Sequence, residues 1–133
     1  MAFTFGASFN THEQALFIQA RRAQLLAGNI ANADTPHYKA VDIDFKQALN
    51  AATSGTVSGN PLLTTHARHL LSKNNGTYMD PLYRIPRQSS LDGNTVEAEA
   101  ETAAFNDNSI RYIASLRFLN GKINTLLSAI RGE

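Results

Sequence analysis

The chain has 133 residues, which fits a single domain at roughly 100–200 residues per domain. Twelve Lys and Arg against eleven Asp and Glu leave a formal charge of +1, too balanced for a phosphate-rich partner that needs clustered cations. The absence of Cys excludes disulfides, thiol catalysis and thiolate metal sites.

Leu, Ile, Val and Phe total 32, no more than the 32 Asn, Ser and Thr, so the core is expected to be thin. A short chain with little apolar surface to bury is marginal alone and calls for partners or copies of itself. The start, Met-Ala-Phe-Thr-Phe-Gly, has no cationic lead or apolar run of signal-peptide length, and no segment reaches the length of a membrane span.

Residues 10–33 read as a helix, with Asn10 and Glu13 at capping-box spacing. Phe9, Glu13, Leu16, Ala20, Ala23, Ala27 and Ile30 recur in the 4-3 spacing of a coiled-coil seam built largely of alanine. Thr35-Pro36 then disfavours helix. Val41–Phe45 alternates apolar and acidic residues, which predicts a short extended stretch. Asp44 with Gln47 predicts the cap of a short helix from Phe45 to about Ala52. From Thr53 the composition is that of a loop, and the segment 34–94 is expected to be an irregular middle with, at most, short strands around Asn75-Gly76.

The last element, 95–131, is the clearest. Asn94 and Glu97 repeat the capping-box spacing, while Glu97, Glu99 and Glu101 suit a helix N-terminus. Phe105, Ser109, Tyr112, Leu116, Leu119, Ile123, Leu126 and Ile130 then run in unbroken 4-3 spacing, and Arg131-Gly132 closes the helix. A helix about 50 Å long in so small a chain needs a partner of similar length. The expected fold is therefore mainly α: an antiparallel two-helix coiled coil of the N- and C-terminal helices joined by a loop-rich middle, with Leu116–Leu126 packed on Leu16–Ala27. Phe17, Ile18, Leu25, Leu26, Ile110, Ile113, Phe118 and Leu127 fall off these seams, a surplus that marks association surface.

No constellation supports catalysis. His66 and His69 supply half of a zinc site at best, without a cysteine to complete it. Asp42 and Asp44 have no base or nucleophile beside them, so solvation and capping are their expected jobs. The glycines do not form a phosphate loop, and no nucleophile elbow occurs. Arg21, Arg22, Arg84 and Arg87 lack the aromatic interleaving of a nucleic-acid surface. No cofactor is implied.

One stretch is more specific. Residues 25–39, Leu-Leu-Ala-Gly-Asn-Ile-Ala-Asn-Ala-Asp-Thr-Pro-His-Tyr-Lys, resemble the N-terminal signature of the bacterial flagellar axial proteins, the rod, hook and hook-associated subunits. The signature positions are Asn29, Ile30, Ala31, Asn32, Thr35, Tyr38 and Lys39. Ala40–Phe45 is similar to the proximal rod subunits in particular. So are Thr64-Thr65-His66 with His69-Leu70, and Asp92–Val96 with Glu99, Asn108, Tyr112, Leu119 and Ile123. Two departures stand out. His37 occupies the place of a usual glycine, so the turn there adopts another conformation or tolerates strain, and the ending lacks the Gln-Arg-Tyr-Glu-Ala-Asn-like motif of sister rod and hook proteins.

The resemblance implies a structural, non-enzymatic subunit of the flagellar basal body, packed helically in the periplasmic rod and transmitting torque. It also implies export by the flagellar type III apparatus without a cleaved signal. Implied partners are copies of the chain, other rod proteins, the FliE adapter, the membrane ring and the export gate. Phe45-Lys46-Gln47-Ala48-Leu49 has the form of the Phe-x-x-x-hydrophobic export element, with Phe45 and Leu49 as its key positions, although a short amphipathic helix yields the same pattern for packing. The alternatives are another flagellar rod protein, a small helical export adapter or chaperone, and a metalloenzyme centred on His66 and His69.

Overall fold

A computed structural model describes residues 5–54, 79–88 and 90–132 of the chain. Its elements are α1 (Phe5–Ala31), β1 (Val41–Asp42), α2 (Phe45–Ser54), β2 (Leu82–Tyr83) and α3 (Ala98–Arg131). The long helices α1 and α3 pack along each other, and α2 lies against α1. The pair is antiparallel: Asn29 meets Glu101, Gln19 meets Asn108, and the His12 ring lies 6.2 Å from that of Phe118.

Helix ends follow local chemistry, with shifts from the sequence expectation. α1 begins at Phe5, so Asn10 is an interior residue whose side chain accepts a bond from the Gln14 amide at 3.2 Å. Only Gly6 weakens the helix before Asn10, at a cost of about 1 kcal/mol, and no proline stops it. α1 ends at Ala31 rather than residue 33, in a tight turn where the Asn32 and Ala33 N–H groups donate to carbonyls of Asn29 and Ile30. The Asp44 carboxylate caps α2 through the Gln47 N–H at 3.0 Å. Thr53 and Ser54 continue that helix, bonding back to the Leu49 and Asn50 carbonyls, instead of opening the loop. α3 starts at Ala98 with Glu97, not Asn94, in the cap position, because the Asn94 side chain is engaged at the end of α1. Gly132 closes α3 in the left-handed region (φ 76°), its N–H on the Ser128 carbonyl at 2.9 Å. β1 and β2 form an antiparallel ladder, Val41 opposite Tyr83 and Asp42 opposite Leu82. Thr64, Thr65, His66, His69 and Asn75-Gly76 lie outside the described residues.

The apolar core is small. Ile18, Ile43 and Ala48 form its centre, with Leu25, Phe45, Leu49 and Met79 against it. The rest of the helix interface is unusually polar: Gln19, Asn29, Glu101 and Asn108 are all buried. This corrects the expected seam. On α1 the buried positions are Ile18 and, each one residue before Leu16, Ala20, Ala27 and Ile30 of the expected series, Ala15, Gln19, Leu26 and Asn29. Ala20 and Ala27 are exposed, and Leu16, Ala23 and Ile30 are half-buried. On α3, Tyr112, Leu116, Ile123 and Ile130 are exposed, while Phe105, Leu119 and Leu126 are half-buried. The cause is register. The Asn29–Glu101 bond and the Asn108 amide donating to the Gln19 backbone carbonyl fix how the helices slide, and place α3 beyond Phe118 alongside the start of α1, before Leu16. Among the described residues, no helix is long and apolar enough to cross a membrane.

Candidate functional site

The signature residues meet at the end of α1, where β1, β2 and the start of α3 converge. Helix ends leave backbone groups without intrahelical partners. Here side chains supply them. Asn29, fully buried, acts as a surrogate strand for Val41: its Nδ2 donates to the Val41 carbonyl at 2.8 Å and its Oδ1 accepts the Val41 N–H at 3.2 Å. The same Nδ2 donates to Glu101 at 3.0 Å, and the Tyr38 hydroxyl reaches Asn29 Oδ1 at 3.5 Å. Asn32 turns back on its own helix, Nδ2 to the Gly28 carbonyl at 2.8 Å, and accepts from the Thr35 hydroxyl at 3.1 Å.

Asn94 closes the junction from the other side. Its Nδ2 faces the carbonyls of Asn32, Ala33 and Thr35 at 3.1, 2.6 and 3.0 Å, while its Oδ1 accepts the Val96 N–H at 2.8 Å. The Thr95 hydroxyl accepts the Ala40 N–H, the Thr95 N–H donates to the Tyr38 carbonyl, and Lys39 Nζ donates to the Gly93 carbonyl at 2.6 Å. His37, in the glycine's usual place, takes φ 63°, the strained alternative of the two expected.

Beside Asn29 lies a chain of charges. Asp42 accepts two bonds from Arg22 (2.8 and 2.9 Å) and one from Arg84 (2.6 Å), and Arg84 also donates to the buried Glu101 at 2.6 Å. Burial pushes the Asp42 carboxyl up, but the bonds from Arg22, Arg84 and the Ile43 N–H together hold it below the usual range. The bond to Asp42 raises Arg22, against its own desolvation. Solvation and capping were the expected jobs of the two aspartates; Asp44 does cap α2, whereas Asp42 is the centre of this cluster. Arg22, Arg84 and Glu101 carry no local signal for it, since the ion-pair partners stand far apart in sequence. Ile30 is half-buried and Ala31 exposed, and neither side chain joins the polar network. Phe45 and Leu49 pack on the Ile18–Ile43–Ala48 cluster, away from the signature.

The arrangement holds α1, β1, β2 and α3 together through side chains bonded to one another and to backbone groups of the chain. Among the described residues, no group of three His, Asp or Glu stands where it could hold a metal ion. No family model matches the chain. The flagellar basal body rod protein FlgB of Cereibacter sphaeroides is 47% identical over 130 residues, covering 97% of this chain and 98% of that protein. The chain belongs to the FlgB family of flagellar basal body rod proteins. FlgB of Aeromonas hydrophila is 42% identical over 134 residues (100% of this chain, 99% of that protein). FlgB of Salmonella typhimurium is 37% identical over 130 residues (95% and 94%). Membership makes the chain a structural component of the flagellar basal body, and favours a rod subunit over an adapter, a chaperone or a metalloenzyme.

Proposed function

We propose that the chain acts as one unit in the proximal rod, assembling helically with copies of itself and with other rod proteins and carrying torque through many side-chain contacts. The observation that carries this is the likeness to FlgB rod proteins over nearly the whole chain. The many exposed apolar side chains of α3, from Ile110 to Ile130, fit a subunit completed by its neighbours. An open-ended, heterologous association uses such faces on every side. The FliE adapter and the membrane ring are its neighbours at the rod base. A strain lacking the chain tests the proposal: returning the gene should restore swimming, and the chain should be recovered in purified basal bodies. Restored swimming with the chain absent from basal bodies would refute it.

Export through the flagellar type III gate, as an unfolded chain without a cleaved signal, belongs to the same proposal, with Phe45 and Leu49 as the element read at the gate. Both are half-buried against the Ile18–Ile43–Ala48 cluster, so folding restricts access to them and an unfolded chain presents them more fully. Phe45→Ala and Leu49→Ala should lower secretion, whereas Ile18→Ala, which weakens the same cluster, should not. Equal secretion by all three would remove the export role.

A further inference from the structure

α3 is tied to α1 unevenly along its length. The buried Glu101 and Asn108 bond to Asn29 and to the Gln19 carbonyl, and the Phe118 ring lies against His12. Past Phe118 the helix runs on to Arg131, and from Asn120 to Gly132 every residue except Leu126 is exposed. There the two helices leave a groove of about 500 Å³, with Phe9 on one wall and Phe118, Gly121, Thr125 and Leu126 on the other.

Gly121 stands at the head of this stretch, and neither space nor backbone geometry calls for a glycine. Its conformation is that of the helix around it, and a methyl group on its Cα would meet no neighbour within 4 Å among the described residues. Glycine is a poor helix former, because an unfolded glycine has the most freedom to lose. The Thr125 hydroxyl donates to the Gly121 carbonyl at 2.9 Å, a back-bond that weakens and bends helices. Asn120 and Asn124 add further poor helix formers beside it. Asn106–Ser109 is another weak run, but there Asn108 is buried on α1 and Asp107 pairs with Arg111 at 2.8 Å. Gly28 of α1 is as unhindered as Gly121, yet its carbonyl is held by the Asn32 N–H and amide at the signature turn. At Gly121, low helix propensity, a back-bonded carbonyl and open room on the α1 side coincide.

We infer that α3 is jointed at Gly121: residues 122–131 form a helical arm that swings on the rest of the helix, closes over the groove beside Phe9, and needs that motion in the cell. Sharp kinks without proline arise at small residues or where a side chain enters the hydrogen-bond ladder, and Gly121 with Thr125 supplies both. The part of α3 before the joint stays fixed by Glu101 and Asn108, so the junction around Asn29 and Asn94 keeps its geometry while the arm takes its own angle. The joint is a property of the single chain; only its use in the cell rests on the proposed rod assembly.

Because the chain has no Cys, nitroxide labels on introduced cysteine pairs report single distances in the full-length protein. Glu99→Cys with Arg117→Cys lies wholly before Gly121, and Ile110→Cys with Ser128→Cys straddles it. Each pair spans about five turns, or about 27 Å along a straight helix. The first pair should give one narrow distance by pulsed electron resonance, and the second a distribution about twice as wide that reaches shorter distances. Gly121→Ala, which the open space admits, should narrow the second to match the first. Equal widths before that substitution overturn the joint, and so does a width that Gly121→Ala leaves unchanged. Hydrogen exchange separates an arm from an unravelled end: amides of 125–131 should stay protected about tenfold over an unstructured peptide, and no protection there overturns the joint in favour of fraying. In cells Gly121→Ala should reduce swimming, and adding Asn120→Gly, which moves the joint back by one residue, should restore it. Undiminished swimming by Gly121→Ala overturns the use of the joint. So does a loss that Asn120→Gly fails to rescue, since Gly121 is then needed for close contact rather than for motion. Absence of the unsubstituted chain from basal bodies would remove the rod assignment and leave the label distances to decide the joint.

Discussion

His37 sits where the backbone of α1's exit loop turns through φ 63°, its N–H on the Asp92 carbonyl at 3.0 Å. A side chain there clashes with its own backbone, and glycine does not. His37→Gly should raise stability by up to about 1 kcal/mol, part of the strain relief being offset by the freer unfolded chain, while the β-branched His37→Val should lower it by more than about 1 kcal/mol. Urea midpoints followed by far-UV circular dichroism decide this; identical midpoints for all three chains would show that the turn does not need its left-handed residue. Asp42 sets the acid limb of stability. Its carboxyl is held below the usual aspartate range in the folded chain, so the unfolded chain binds the extra proton. Its contribution is complete above the ordinary pKa of about 4 and is lost as pH falls through the lower folded value. Asp42→Asn should therefore cost about 1.5–3 kcal/mol at pH 7, the range of charged hydrogen bonds, and progressively less below about pH 4. A wild-type-minus-variant difference that stays constant from pH 7 to 3 would contradict it.

At the scale of elements, one amide joins two helices. Asn94 donates to three carbonyls after α1 and accepts the Val96 N–H leading into α3. Asn94→Asp keeps the acceptor but turns the other atom into an oxygen facing three oxygens. It should destabilise more than Asn94→Ala, which is expected to cost about 1–3 kcal/mol. The reverse order in thermal melts would remove the capping role. The same residue explains what sequence patterning could and could not reach. Helix periodicity, Pro36, the Asp44 cap and Gly132 are local signals, and each marks an element the structure contains. The inner face was harder, because it is lined by Gln19, Arg22, Asn29, Glu101 and Asn108, residue types that a hydrophobic pattern assigns to solvent. Alanine at 20, 23 and 27 kept a heptad spacing one residue away and drew the seam onto the wrong face. Asn94 stands three residues before Glu97, a spacing that suggests its own helix's cap and gives no hint of the α1 carbonyls it serves.

Over the whole molecule, the apolar centre at Ile18, Ile43 and Ala48 is confined to one end, while α3 carries exposed apolar residues out to Ile130. On the proposed rod assembly, folding and assembly draw on different side chains of the same helix pair, and substitutions should separate them. Ile18 is fully buried, so Ile18→Ala should cost about 2–4 kcal/mol of stability in the isolated chain. Ile123 is 40% exposed, and Ile123→Asp should leave that stability within about 0.5 kcal/mol of the original. In the rod the order reverses: an aspartate under a neighbouring helix is a buried, unpaired charge, whose desolvation no partner group offsets. Cells carrying Ile123→Asp should export the chain at normal levels, fail to incorporate it into basal bodies and fail to swim. Normal swimming by those cells would show that the outer face of α3 stays in water in the assembled rod, and would leave α3's exposed apolar residues without a role in assembly.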